Sequence, residues 1–159
     1  MSECQSFDPV ADTDSRLLIL GSMPGIRSLQ MQQNRFWPLV TMLLGYAEVP
    51  LDYADKKQML LDNRIALWDV LGYCEREGSL DSDITCEQPN DLAGFLQNHP
   101  QIHTICCNGG KAAAAFKKYT RQLDLQRITV HFLPSTSPAN ARWSLTKLLE
   151  AWQVINTGR

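Results

Sequence analysis

Residues 17–20 read Leu-Leu-Ile-Leu, apolar without a break, and the run stops at Gly21. A strand with one wet face alternates apolar and polar residues. An unbroken run suits a strand covered on both faces, the usual condition of a parallel sheet between helix layers. Further strand candidates follow at Ile65–Val70, Ile102–Cys107 and Arg127–Leu133. Helical stretches separate them. Phe36–Leu44 ends near Gly45, and Asp52–Asn63 is polar and lysine-bearing on one side. Asp91–Asn98 has Asn90 or Asp91 as its cap. Lys111–Arg121 carries an alanine run of high helix propensity. A last helix is expected from about Ala139 to Ile155. Strands alternating with helices imply right-handed crossovers. The expected fold is therefore α/β: a three-layer α/β/α sandwich with a four-stranded parallel sheet. With 159 residues the chain is read as one domain, residues 1–159, in which 1–15 form a flexible N-terminal segment.

Composition removes several classes. Hydrophobic residues make up 44% and charged residues 20%, as in an ordinary soluble domain. No apolar run approaches the ~18 residues of a membrane span. The polar, acidic start has no signal-peptide core, so a cytoplasmic location is expected. The five cysteines are odd in number and include no C-x-x-C pair. That speaks against a disulfide framework, a zinc ribbon or an iron–sulfur ligand set, and for reduced, apolar cysteines. The formal net charge of −2 counts mildly against a dedicated non-specific DNA binder, though a local patch suffices. His99, His103 and His131 have no metal-site spacing. No Ser-His-Asp arrangement or G-x-S-x-G elbow is visible. Lys111 is the one lysine placed for Schiff-base chemistry. No metal and no cofactor is expected.

In open α/β sheets ligands bind beyond the carboxyl ends of the strands. Four segments fall there: "GSMPG" (21–25), "WDVLGYCEREGSLDS" (68–82), "CNGGK" (107–111) and "LPSTSPAN" (133–140). All are rich in Gly, Ser, Asn or Pro. The glycines of the first allow close backbone approach, and amides there can face an anion or a carbonyl. It matches neither phosphate-binding glycine signature, and a purely structural turn is the alternative. Asn34, before Phe36, Trp37 and Pro38, either caps a helix or positions a water, since its amide both donates and accepts. Asp69 at a strand end either accepts from a ligand N–H or is a solvated cap. Ser79 and Asp81 either brace a site or make turns. The "PSTSPAN" loop suits phosphate contacts and wedging into a base stack. Otherwise it is a loop whose Ser137 or Asn140 caps the last helix.

Taken together, the four loops resemble those of the uracil-DNA glycosylase superfamily, and within it the hypoxanthine (deoxyinosine) DNA glycosylase branch. The resemblance rests on "LILGSMPG…SL", "NRFWP", "ALWDVL…CEREGSLDSDI", "CNGGKA…F" and "LPSTSPANA", and spans residues 17 to 153. It implies a parallel sheet between helix layers and a monofunctional enzyme that hydrolyses the N-glycosidic bond of a deaminated base in base-excision repair. Hypoxanthine is the implied base, with uracil and xanthine as further candidates. Asn34 matches the asparagine to which this branch assigns water positioning. Gly21, Ser22, Met23, Pro24, Gly25, Asp69 and Asn108 match the base pocket. Pro134, Ser135, Thr136, Ser137 and Asn140 match the DNA-inserting loop, with Ser79 and Asp81 in support. The implied partner is double-stranded DNA containing a deaminated base, bound by a monomer with no membrane involved.

The chain departs from the branch in one place. Relatives carry an aromatic stretch of the type Tyr-Tyr-Ala-His-Pro before the asparagine, whereas here "SLQMQQ" runs directly into Asn34. A base stacked on an aromatic gains ~1–3 kcal/mol. A weakly active or non-catalytic damaged-DNA-binding relative therefore stays open, and the glycine turns with the net charge of −2 leave a small-ligand-binding α/β protein open as well.

Overall fold

The computed structural model describes residues 2–5, 7–22, 29, 33–76 and 84–159. Their order is β1 (Ser2–Gln5), β2 (Leu17–Gly21), α1 (Phe36–Leu43), α2 (Tyr53–Asp62), β3 (Ile65–Asp69), β4 (Leu71–Arg76) and β5 (Ile84–Pro89), followed by α3 (Leu92–Asn98), β6 (Thr104–Asn108), α4 (Gly110–Tyr119), β7 (Thr129–Leu133), α5 (Leu145–Ala151) and α6 (Val154–Thr157).

The main sheet has the order β3-β2-β6-β7, and all three pairings are parallel. β2, the unbroken apolar run 17–20 closed by Gly21, lies inside the sheet. Leu17 and Ile19 pack on one face with Ile65, Leu67 and Cys106. Leu18 and Leu20 pack on the other with Ala66, Ile105 and Cys107. An apolar run without alternation is what these two dry faces require. The first face receives Phe36, Leu39, Met59, Leu60, Leu148, Trp152 and Ile155, from α1, α2, α5 and α6 and the turns at their ends. The second receives Leu92 and Phe95 of α3 with Ala112, Ala115 and Phe116 of α4. The result is the expected α/β/α sandwich. Phe36, fully buried, meets the Trp152 ring edge-on at 6.1 Å, which sets the start of α1 on the sheet. Burial of a side chain of this kind contributes roughly 1.5–3 kcal/mol.

The chain leaves β2 to one side for β3 and then crosses over to β6 on the other. The strand order therefore reverses between β2 and β6, and such a switch point opens a crevice at the carboxyl ends.

Three features depart from the sequence reading. The segment after Asp69, expected as a loop, forms β4, which pairs antiparallel with β5. Ser2–Gln5, within the stretch expected to be flexible, pair with β4 as a third strand of this second sheet. The last helix begins at Leu145 and not near Ala139. Its cap is Ser144, whose Oγ accepts from Lys147 N at 3.2 Å, so neither Ser137 nor Asn140 caps it. No helix among the described residues is long and apolar enough to cross a membrane.

Candidate active site

The polar ends of the four parallel strands meet along one edge, as the sequence pattern indicated. Gly21 pairs with Asp69 across β2 and β3, and Asn108 pairs with Leu133 across β6 and β7. Met23, Pro24, Gly25, Ser79 and Asp81 lie outside the described residues. Ser22 is described; its carbonyl accepts from Leu71 N at 3.4 Å.

Asn34 is buried just before α1. Its Oδ1 accepts from Phe36 N at 3.0 Å and from the Thr136 hydroxyl at 2.9 Å. The first bond makes an Asx-type turn just before the helix; the cap position itself falls to Arg35, without a side-chain cap bond, where one sequence reading had Asn34 as the cap. The same bond orients the amide, because a backbone N–H can only donate and must face the oxygen. Asn108 is oriented likewise: its Oδ1 accepts from Thr136 N at 3.1 Å, and its Nδ2 donates to Thr136 Oγ1 at 3.1 Å. Each end of the Asn108 amide thus makes a bond to Thr136, so this side chain braces the loop.

Thr136, expected among the DNA contacts, is fully buried. Its N–H, hydroxyl and carbonyl all bond inside the protein, the carbonyl accepting from Arg35 N at 3.1 Å. Thr136 locks the loop and does not line its outer surface. The rest of the loop is a series of short turns. Ser135 Oγ accepts from Ser137 N at 3.1 Å, Ser137 Oγ from Ala139 N at 3.2 Å, and Asn140 Nδ2 donates to Ser135 O at 3.0 Å. Pro134 O accepts from Trp152 Nε1 at 3.0 Å. Gly109 makes the close approach possible. Its φ is +93°, and a Cβ there would lie 2.8 Å from Ser135 Cβ. Pro138, Ala139, Ala141 and Arg142 face outward, beside a surface groove lined by Arg142, Trp143 and Lys147.

Asp69 is buried at the end of β3, on the sheet face that carries α1 and α2. Its carbonyl accepts from Asn90 Nδ2 at 2.8 Å. Tyr53, in the first turn of α2, has its hydroxyl pKa raised, first by burial and then by the Asp69 carboxylate. Tyr53 is therefore a neutral donor near a carboxylate, and no sequence signal marked it. Arg35, which reaches across to the loop, was missed as well, although it lies inside "NRFWP".

Lys111 is not available as an amine nucleophile. It forms an ion pair with Glu87, whose other oxygen accepts from Tyr119 Oη at 3.1 Å. Cys106 and Cys107 are buried free thiols, and burial pushes both up to about 12. That makes them inert apolar residues, as expected. Among the described residues no group of His, Cys, Asp or Glu could hold a metal.

A parallel sheet with a buried, oriented amide and a carboxylate at its switch-point edge, facing a stiff Ser/Pro loop, defines the class of α/β enzymes that take a ligand at that edge. The comparisons with known proteins make the class particular. The family model for the uracil DNA glycosylase superfamily matches residues 8–156, and the chain belongs to that superfamily. It is 37% identical over 157 residues to the hypoxanthine DNA glycosylase of Methanosarcina acetivorans (95% of this chain, 96% of the relative). It is 32% identical over 154 residues to the protein of the same name from Methanosarcina barkeri (93% and 94%). It also resembles a solution NMR structure from Methanosarcina acetivorans assigned provisionally as a uracil DNA glycosylase. That likeness has a TM-score of 0.77 and 33% identity, and covers 98% of this chain and 99% of the other.

Proposed function

We propose that this protein removes hypoxanthine from double-stranded DNA by hydrolysing its N-glycosidic bond, as a monofunctional, monomeric, cofactor-free base-excision repair enzyme. Uracil and xanthine are secondary substrates in this reading. The observation that carries it is the fixed orientation of the buried Asn34 amide, held between α1 and the loop at the strand-end edge.

The target base leaves the stack, at a cost that is lower for a mispaired base, and enters the crevice at the carboxyl ends of the parallel strands. The Asp69 carboxylate accepts from the ring N–H of hypoxanthine, and backbone amides of the "GSMPG" turn beyond Gly21 stabilise the charge that develops on the departing base. The Asn34 carbonyl already serves two donors. Its Nδ2 is left to hold a water by donating to one lone pair, which leaves the other for the anomeric carbon. The base departs with the electrons of the C–N bond and takes up one proton, while the hydroxyl of the water stays on the sugar. With Lys111 paired to Glu87, no amine among the described residues is poised to form a Schiff base, and the product is an abasic site. Pro134, Ser135, Ser137 and Asn140 present the loop that fills the vacated stack, held from beneath by Thr136.

The test is incubation with duplexes carrying inosine, uracil or xanthine, followed by alkali. Strand breaks, most with inosine, are expected. No break above a protein-free control at stoichiometric protein would sink the proposal, and binding to damaged duplex without cleavage would favour a non-catalytic relative.

A further inference from the structure

Arg35 stands between Asn34 and the first residue of α1; its carbonyl accepts from Leu39 N in the helix, yet the bonds it donates go to a segment a hundred residues away. Its backbone N–H donates to Thr136 O at 3.1 Å. Its Nη2 donates to Ser137 O at 3.0 Å and to Asn140 O at 3.1 Å, and its Nη1 donates to Trp143 O. Every one of these acceptors is a main-chain carbonyl of residues 136–143. Among the described residues the ion pairs involve Glu87 alone, and no carboxylate meets Arg35.

Three carbonyls that converge on one point repel one another unless a donor array sits between them. A guanidinium has five N–H groups in a flat, rigid fork, and it carries the charge that strengthens each bond. A lysine ammonium is a compact point charge and cannot span the same array. The bonds internal to the loop are short-range turns, with sequence separations of two to five residues for its side-chain bonds. Those turns shape the loop locally. They do not set how high it stands over the sheet edge or how it is rotated toward Asn34.

We propose that Arg35 is a positioning residue: it clamps residues 136–143 as one body, so that the DNA-inserting loop and the water-holding Asn34 keep a fixed separation. The proposal rests on assigning that loop to DNA. Because Asn34 and Arg35 are adjacent in sequence, one rigid dipeptide at the start of α1 sets both the site of attack and the depth of insertion.

The test compares wild type, Arg35→Ala and Arg35→Lys by single-turnover kinetics on an inosine duplex, together with amide hydrogen exchange of the free proteins. Both substitutions are expected to raise the half-saturating protein concentration by about tenfold or more, with a smaller fall in the plateau rate. Amides of residues 136–143 should exchange faster in Arg35→Lys, while those of β2 and β6 keep their protection. An Arg35→Lys protein with wild-type half-saturation would overturn the proposal, since it would reduce Arg35 to a charge. Unchanged exchange in residues 136–143, or loss of protection throughout the sheet, would overturn it too. Failure of the wild type to cleave would strike the glycosylase reading alone, and the exchange measurement would still decide the clamp.

Discussion

Thr136 Oγ1 donates to Asn34 Oδ1 at 2.9 Å and accepts from Asn108 Nδ2 at 3.1 Å. The direction of this chain of bonds is fixed from outside it. Backbone N–H groups of Phe36 and Thr136 face the oxygens of the two amides, so Asn108 must give its N–H to the hydroxyl, which can then give its proton only to Asn34. The Asn34 amide has one orientation, held by three elements of the fold.

Removing the hydroxyl should expose this dependence. Thr136→Val keeps the shape but leaves Asn108 Nδ2 unpaired and takes one donor from Asn34, in a fully buried place. A loss of about 1–3 kcal/mol is expected by urea titration, with a slower single-turnover rate at saturating protein. Thr136→Ser, which keeps the hydroxyl, should recover most of the rate. A Val variant as fast as wild type would show that the orientation of Asn34 is not rate-determining.

Asn34 has two jobs, and they should separate. Asn34→Ala removes the acceptor of the Phe36 amide, worth about 0.5–2 kcal/mol for a helix-start residue, and it removes the group proposed to hold water. The cleavage rate on inosine duplex should fall roughly 10²-fold or more, with duplex affinity little changed. Affinity and rate falling together would mean that Asn34 acts mainly by shaping the loop.

Gly109 tests the approach of the loop to the sheet. At φ +93°, with a Cβ placed 2.8 Å from Ser135 Cβ, alanine is both strained and crowded. Gly109→Ala should cost at least about 1–3 kcal/mol and should weaken duplex binding, since Ser135 must move. A urea midpoint equal to that of wild type would refute this.

Glu87 ties the second sheet to α4, and its effect on stability should depend on pH. Burial alone would raise its carboxyl. The hydrogen bond and charge of Lys111, with help from Tyr119 and Lys118, hold it below its ordinary value of 4.5. A carboxyl lowered on folding binds fewer protons in the folded state, so the stability it brings is complete above 4.5 and fades as pH falls through the lower folded value. The stability gap between wild type and Glu87→Gln should therefore be constant near neutral pH and close in acid. A gap independent of pH down to the acid limb would contradict this account.

The layers and the edge were already legible in the order of the amino acids. Apolar runs such as 17–20 declare a strand buried on both faces, because burial of each side chain is a local matter of composition. The glycine, serine and proline stretches mark where those strands end, because turn chemistry is local as well. The aromatic pair Phe36 and Trp37 marked the helix that Asn34 precedes. Only the tertiary structure decided what the polar residues at that edge do. Asn34 and Thr136 lie 102 positions apart, and nothing in either segment says that one will bury its hydroxyl against the other. Thr136 read as a DNA contact and became an internal brace, Asn108 read as a base-pocket residue and bonds to Thr136, and Arg35, which the sequence reading passed over, reaches four carbonyls. The segment after Asp69 read as loop and became a strand, since antiparallel pairing supplies it with backbone partners that its polar composition did not announce. Hydrogen bonds of this kind are decided by which groups the packed sheet brings together, and a side chain carries no record of its partner until the fold has closed around both.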